Sequence, residues 1–366
     1  MTIPFVDLKS QYQTIKSEID LAMQNVINES AFVRGRHVER FESDYKSIMG
    51  TDHCITCGNG TDALYISLKA LGIGPGDEVI TTALSWISTS EVITQCGARV
   101  VFADIEAGYL TIDPEDIERK ITENTRAIIP VHLHGQAANM EAIVSIAEQH
   151  NLHVIEDCAQ SHLGKYQGQN LGTFGVAGTF SFYPSKNLGA FGDAGAIISN
   201  DDDFAKKARM FANHGALKKP DHMIEGINSR MDGIQAAILS VKLKYLSKWN
   251  ERRKQLAEYY TRSLANISSI ITPKVRLDSE HVFHLYVIQT DERDRLKSSL
   301  LNHRVSTSIH YPTALPFLHA YKYLGHENCD FPIASGVTSK ILSLPMYPEL
   351  RMEQTEKIVD FIRSEF

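Results

Sequence analysis

The stretch Ser181-Phe182-Tyr183-Pro184-Ser185-Lys186-Asn187-Leu188-Gly189, closely followed by Gly192-Asp193-Ala194-Gly195-Ala196, decides how this chain is read. It is too apolar and turn-rich for a surface helix, and it carries one lysine. Upstream, the apolar segment His153-Val154-Ile155-Glu156 ends at Asp157. In open parallel sheets, ligands lie beyond the carboxyl ends of the strands. A lysine on a Gly-rich turn and an acid ending an earlier strand suit an imine-forming cofactor. The amine condenses with an aldehyde, and the carboxylate keeps a pyridine nitrogen protonated so that the ring accepts electrons.

Outward from this stretch, short apolar runs alternate with helical ones between residues 53 and 200. The expected strands are His53–Thr56, Glu78–Thr81, Arg99–Phe102, Ala127–Val131, His153–Glu156, Thr179–Ser181 and Ala194–Ser199. Between them lie amphipathic runs such as Thr61–Leu71, ending at Gly72, and Met140–His150, preceded by the N-cap Asn139. This alternation predicts an α/β fold with a mostly parallel sheet covered on both faces. An N-terminal arm with helices over residues 9–28 and 36–48 comes first. After residue 233, Ile234, Ile238, Val241, Tyr245 and Trp249, then Leu256, Tyr260 and Leu264, follow helical spacing with no Gly or Pro among them. One long helix is expected there, leading from a large domain (1–245) into a smaller C-terminal one (246–366). The smaller domain reads as strands Val282–Gln289 and Val305–Ile309 with helices near 293–302 and 353–364.

The 366 residues, 43% hydrophobic and 22% charged, suffice for two sizeable cores. The net charge of −7 and the lack of a basic block argue against nucleic acid, and anionic substrates need local positive charge. No apolar run approaches the ~18 residues of a membrane span, and the N-terminus lacks a signal-peptide pattern, so a cytoplasmic protein is expected. The five cysteines do not form a disulfide framework. Cys54 and Cys57 have the spacing of a redox or zinc half-site, but no second pair follows, and buried structural thiols are expected. His132 and His134 lack a third ligand at a suggestive spacing, so no metal is expected.

Gly58-Asn59-Gly60-Thr61 follows a strand and opens a helix, so it is either a phosphate cradle at a helix N-terminus or a plain turn. Ser181 is placed to add a hydroxyl. Gln160 either meets a phenolic oxygen on the same ring as Asp157 or sits in its loop. Trp86 offers a flat face for stacking or fills a core. Partial burial would lower the Lys186 pKa and free its amine.

Together, Gly58-Asn59-Gly60-Thr61-Asp62-Ala63-Leu64, Glu156-Asp157-Cys158-Ala159-Gln160-Ser161, the Lys186 stretch, Asn228-Ser229-Arg230-Met231-Asp232 and His310-Tyr311-Pro312 resemble the DegT/DnrJ/EryC1/StrS family of sugar aminotransferases. These are fold-type-I pyridoxal-phosphate enzymes, and the resemblance runs from Phe5-Val6-Asp7-Leu8 to the last helix. It implies a seven-stranded, mostly parallel sheet between helices and a small α+β C-terminal domain. It also implies roles. Lys186 is the Schiff-base lysine and proton shuttle, Asp157 the partner of the pyridine nitrogen, and Gln160 the contact of the ring hydroxyl. Gly60, Thr61 and Ser181 hold the phosphate, which Asn228 reaches from the other subunit of a homodimer with shared active sites. Trp86 takes the place of the ring-stacking aromatic. Tyr183, Lys219, His310 and Tyr311 match positions around the nucleotide-sugar. The chain departs from many relatives at Ala83, where proline is common, and in having tryptophan as the aromatic.

A branch of the family removes a hydroxyl and has histidine in place of the lysine, so Lys186 argues against it. The expected reaction moves an amine from glutamate, through pyridoxamine phosphate, to a keto-sugar nucleotide for surface polysaccharide or glycan synthesis. The segments Tyr183–Ala190 and Gln235–Leu243 look most like the 3-keto-sugar branch. A dTDP-3-keto-6-deoxyhexose is therefore the expected acceptor. The alternatives are a UDP- or dTDP-linked 4-keto sugar, a UDP-3-keto-glucuronate, and a noncatalytic cofactor-binding regulator. Such a regulator usually has a DNA-binding module, for which no spare segment is expected here.

Overall fold

The structure, a computed structural model, describes residues 2–218 and 220–366. Its centre is a seven-stranded sheet of β1 (His53–Cys57), β2 (Glu78–Thr82), β3 (Arg99–Ala103), β4 (Thr125–Ile129), β5 (His153–Asp157), β6 (Ala177–Ser181) and β7 (Gly195–Ser199), in the order β1-β7-β6-β5-β4-β2-β3. Only β7 runs antiparallel to its neighbours. The ladders from β6 through β5, β4 and β2 to β3 are parallel. Every strand expected in this region is present. The largest shift is at β4, which starts and ends two residues before the expected Ala127–Val131, because Pro130 has no N–H to continue the ladder.

Helices cover the sheet because each has one apolar face and a defined start. The helix Gly60–Ala70 is capped by Asn59, whose Oδ1 accepts the Asp62 N–H at 2.8 Å, and it buries Ala63, Leu64, Ile66 and Leu68. Met140–Gln149 starts after the cap Asn139, as expected. The arm differs in one respect. Residues 9–28 form two helices, Leu8–Thr14 and Lys16–Asn28, because Ile15 leaves the helical region (φ −128°) and buries its side chain in a cluster with Ile19, Ile238 and Trp249.

The expected single long helix is also two, Gly233–Leu243 and Leu246–Leu264. The break has no Gly or Pro to announce it. It falls where Lys244 and Tyr245 reach across to Glu18 of the arm and the Tyr245 ring stacks on Trp249 at 5.8 Å. Beyond it, Tyr286–Gln289 pairs antiparallel with Ile341–Leu344, a strand the sequence pattern did not reveal. Val305–Ile309 forms only isolated bridges, Ile3 with Val305 and Ser308 with Ser343. Arg293–Asn302 and Met352–Glu365 are helical as expected. Tyr260, Tyr286, Leu296, Leu342 and Ile358 share a buried cluster with Ile3. Among the described residues, no helix is long and apolar enough to cross a membrane.

Candidate active site

Loops leaving the carboxyl ends of β1, β2, β4, β5 and β6 carry Gly58–Thr61, Ala83–Trp86, Pro130–His134, Asp157–Gln160 and Ser181–Lys186 respectively. The strand directions therefore bring most of the sequence-predicted residues to one edge of the sheet, where α/β folds bind ligands.

Lys186 sits on a tight turn. Its N–H donates to the Tyr183 carbonyl at 2.8 Å, and the Ala190 N–H donates to Phe182 at 2.7 Å. Only glycine fits at 189, where a Cβ would lie 2.3 Å from the Pro184 oxygen. Burial drives the Lys186 amine from 10.5 down to about 8, with the charge of Asp157 opposing. Lys242 is also buried and also lowered to about 8, by burial with Glu349 opposing. The two differ in what holds the amine. Lys242 Nζ donates to the Gly189 carbonyl at 2.6 Å and lies 4.7 Å from the centre of the Phe191 ring. Lys186 Nζ has no hydrogen-bond or ion-pair partner among the described residues. A neutral amine with a free lone pair is the state that attacks a carbonyl.

Asp157 is 6% exposed at the end of β5. Its Oδ1 accepts the Ala159 N–H at 3.1 Å, and Oδ2 accepts the Thr89 hydroxyl at 2.9 Å. Ser85 Oγ lies 3.0 Å from Thr89 Oγ1. Burial pushes the carboxyl up, while the Ala159 N–H, Thr89 and the charge of Lys186 oppose it. Beneath it, the fully buried Glu156 accepts N–H groups from Gly172 (2.7 Å), Phe174 (2.7 Å) and Gly175 (3.0 Å) and faces His132 Nε2 at 3.1 Å. His132 Nδ1 accepts the Ala138 N–H at 3.1 Å. His132, Glu156 and Cys158 are close enough to ligate a metal. The carboxylate and both ring nitrogens are already engaged by protein groups, so the cluster is structural.

The Gly58–Thr61 turn is built for close approach. A Cβ at Gly60 would sit 2.5 Å from Ser181 Cβ. The Gly58 N–H donates to Ser229 Oγ at 2.9 Å, and Ser229 donates to Asp62 at 2.6 Å. Thr61 Oγ1 lies 2.7 Å from Ser88 Oγ. The carbonyl of Ser181 is 3.0 Å from Nε2 of His162, whose other ring nitrogen is 3.2 Å from the Tyr45 hydroxyl. Asn228 is exposed, next to Ser229, and its side chain bonds nothing among the described residues.

Gln160 Oε1 accepts the His134 N–H at 2.6 Å, and Nε2 donates to the Tyr311 hydroxyl at 3.1 Å. His134 Nε2 is 3.0 Å from the His310 carbonyl, and His310 Nδ1 is 2.8 Å from Ser343 Oγ. These bonds tie Gln160, His310 and Tyr311 into one wall. His134 is on a turn at φ 61°, not on a strand face shared with His132. Trp86 is 59% exposed and 5.8 Å from the Tyr311 ring, so it is not a core tryptophan. Tyr183 is exposed beside the Lys186 turn. Lys219 lies outside the described residues. Cys54 and Cys57 are buried free thiols whose pKa values burial pushes up.

Thr89, His162 and Asn187 were missed by sequence reasoning. Asn187, next to Lys186, donates to Asn250 at 2.9 Å and to the Val282 carbonyl at 3.0 Å, fastening the lysine turn to the C-terminal half. Polar residues within three positions of Trp86, Gln160 and Lys186 were the available signal, and it is a weak one.

The profile of the DegT/DnrJ/EryC1/StrS aminotransferase family matches residues 13–363. A "Pleiotropic regulatory protein" of Geobacillus stearothermophilus is 45% identical, covering 99% of each chain. The dTDP-3-amino-3,6-dideoxy-alpha-D-galactopyranose transaminase of Aneurinibacillus thermoaerophilus is 41% identical, covering 98% of each. The crystal structure of S. venezuelae DesV in complex with a ketimine intermediate superposes with a TM-score of 0.97 at 37% identity, covering 100% of this chain and 98% of that one.

Proposed function

The chain belongs to the DegT/DnrJ/EryC1/StrS aminotransferase family, and from that premise we propose that its acceptor is a dTDP-linked 3-keto-6-deoxyhexose, aminated to the 3-amino-3,6-dideoxyhexose. It is a sugar-nucleotide aminotransferase, and pyridoxal 5'-phosphate is its cofactor. The residues present fit that group. Gly60 lets the start of its helix pack directly against Ser181, Lys186 offers an unengaged amine with a pKa of about 8, and Asp157 offers a buried carboxylate.

When bound, the cofactor supplies an aldehyde that exchanges between amines and a ring that accepts electrons. The chain supplies the rest. Lys186 would hold the cofactor through Nζ, and the same amine would serve as the base and acid for the proton at the carbon bearing the transferred amine. Asp157 would keep the ring nitrogen protonated, and its fixed carboxylate would need no reorganisation to do so. Gln160 would contact the ring hydroxyl and Trp86 would offer its face to the ring. Gly60, Thr61 and Ser181 would hold the phosphate together with Asn228 of the partner subunit in a cytoplasmic homodimer. Tyr183, Lys219, His310 and Tyr311 border the nucleotide-sugar, and glutamate is the donor.

The observation that carries this reading is the unpaired amine of Lys186, lowered by burial to about 8, within the field of Asp157. The 41% identical relative named for a dTDP-3-amino-3,6-dideoxy sugar supports the choice of acceptor. Purified protein should aminate dTDP-linked 3-keto sugars with glutamate. Turnover confined to a 4-keto or UDP-linked sugar would overturn the acceptor. The regulatory name of another relative supports a noncatalytic reading. A protein of that kind would show no change in cofactor absorbance on adding glutamate, whereas the enzyme should.

A further inference from the structure

The lysine turn runs on through Gly189 to Gly192, and two side chains of the helix Gly233–Leu243 grip that end of it. Lys242 Nζ donates to the Gly189 carbonyl at 2.6 Å, and Gln235 Oε1 accepts the Phe191 N–H at 2.8 Å. The two residues stand about two helical turns apart and so share one face. Gly189 is buried, and its carbonyl takes no other donor among the described residues. The helix itself is firmly seated. Ala236 and Leu239 pack in the core shared with Phe180 and Phe182, and Ile238 and Val241 pack with Ile15 and Ile19 of the arm.

Packing alone does not call for a lysine at 242. The residue is 1% exposed and makes no ion pair among the described residues. Its ammonium meets the Gly189 carbonyl, the Phe191 ring at 4.7 Å and the field of Glu349. Arg253, another buried cation in that field, is engaged elsewhere, its Nη1 donating to the carbonyls of Phe283, His284 and Met346. Burying an ammonium is costly, and methionine would fill the position at no such cost. What lysine supplies there is the donor to Gly189.

That donor acts on the unit that carries Lys186. The Lys186 N–H binds the Tyr183 carbonyl and the Ala190 N–H binds the Phe182 carbonyl, so the turn closes on itself. Gly189 lies against Pro184 with no room for a Cβ. A shift of the Gly189 carbonyl therefore carries to the whole turn. Asn187 ties the turn to the C-terminal half through Asn250 and Val282, and Lys242 with Gln235 ties it to the helix Gly233–Leu243.

We propose that Lys242, seconded by Gln235, is a positioning residue for the amine transfer: its bond to the Gly189 carbonyl sets where the turn presents Lys186 Nζ to Asp157 and to the cofactor. In this role Lys242 touches neither substrate nor cofactor and passes no proton. The role rests on the reading of Lys186 as the lysine that bears the cofactor. Misplacing a reacting group by about 1 Å lowers a rate by about a hundredfold, so a loosened turn acts on the chemistry more than on binding.

The test compares Lys242→Met, close to lysine in size but without a donor, and Gln235→Leu with the wild type. In the cofactor-loaded variants, the maximal rate of the half-reaction with glutamate, followed by cofactor absorbance, should fall by about tenfold or more, while the glutamate concentration for half-maximal rate stays within about threefold. A second readout uses the cofactor-free full chain. Competitive acetylation across pH, read by mass spectrometry at Lys186, should place its pKa above the wild-type value of about 8 in both variants, because a loosened turn lets water reach the amine. Gln235→Leu removes no charge, so a rise there is not the loss of a neighbouring cation. A lysine that merely supports the core would lower the unfolding midpoint and leave both readouts where they were. A half-reaction rate within about twofold of the wild type, or an unmoved Lys186 pKa, in folded Lys242→Met would overturn the proposal, and if that variant does not fold the same results in Gln235→Leu would. A wild type that does not react with glutamate would overturn the proposed function and this role with it, whereas a variant that matches a reactive wild type overturns the role of Lys242 alone.

Discussion

Thr89 donates its hydroxyl to Asp157 at 2.9 Å, and this bond with the Ala159 N–H fixes both oxygens of the buried carboxylate. A hydrogen bond to a charged group contributes about 1.5–3 kcal/mol, and a buried oxygen left unpaired costs a similar amount. Thr89→Val should therefore lower kcat/KM by about 10–100-fold with the fold intact, while Thr89→Ser, which keeps the donor, stays within a few-fold. Steady-state kinetics with circular dichroism as the folding control checks this. Full activity in Thr89→Val would show that Asp157 needs no such support.

The lowered pKa of Lys186 has a consequence for the cofactor-free protein. The folded value of about 8 lies below the unfolded 10.5, so between them the unfolded chain holds a proton that the folded chain has lost. Stability should rise with pH through that window. Urea unfolding of the cofactor-free protein should show the rise, and Lys186→Met should show a smaller one, the part left coming from Lys242, which burial also lowers to about 8. The same slope in both proteins would mean that the buried amine titrates normally.

Gly60→Ala would bring a methyl group within 2.5 Å of Ser181 Cβ, with the Ser181 backbone also at 3.0 Å. Neither the strand end nor the helix start can give way easily. Cofactor affinity should fall by about tenfold or more while the rest of the fold survives, as overpacking of a dense site costs about 1–3 kcal/mol. Equilibrium dialysis against pyridoxal phosphate measures it.

Glu156 is fully buried and binds three backbone N–H groups as well as His132. Glu156→Gln turns an NH2 toward at least one of these donors. The loss should be about 3 kcal/mol of unfolding free energy, read as a lower urea midpoint. A midpoint equal to that of the wild type would show that the loop 172–175 does not depend on the charge.

The sheet was legible because strands buried on both faces must be apolar along their length, and the interruptions between them are unambiguous in this sequence. The lysine turn was legible for the opposite reason. Lys186 stands in apolar surroundings, where an unpaired lysine is costly. The break at Lys244–Tyr245 left no local trace, since it is made by Glu18, far away in the chain. Ile341–Leu344 is a short apolar run whose partner, Tyr286–Gln289, lies more than fifty residues away, so pattern alone did not separate it from a loop. Thr89 and His162 act through hydrogen bonds to residues distant in the chain, and such bonds have no periodicity to read.

Borohydride reduction of the holoenzyme, followed by proteolysis and mass spectrometry, identifies the lysine that held the cofactor. The account predicts the added mass on Lys186 alone. The same mass on Lys242, the other buried lysine with a pKa near 8, or on no lysine at all, would contradict it.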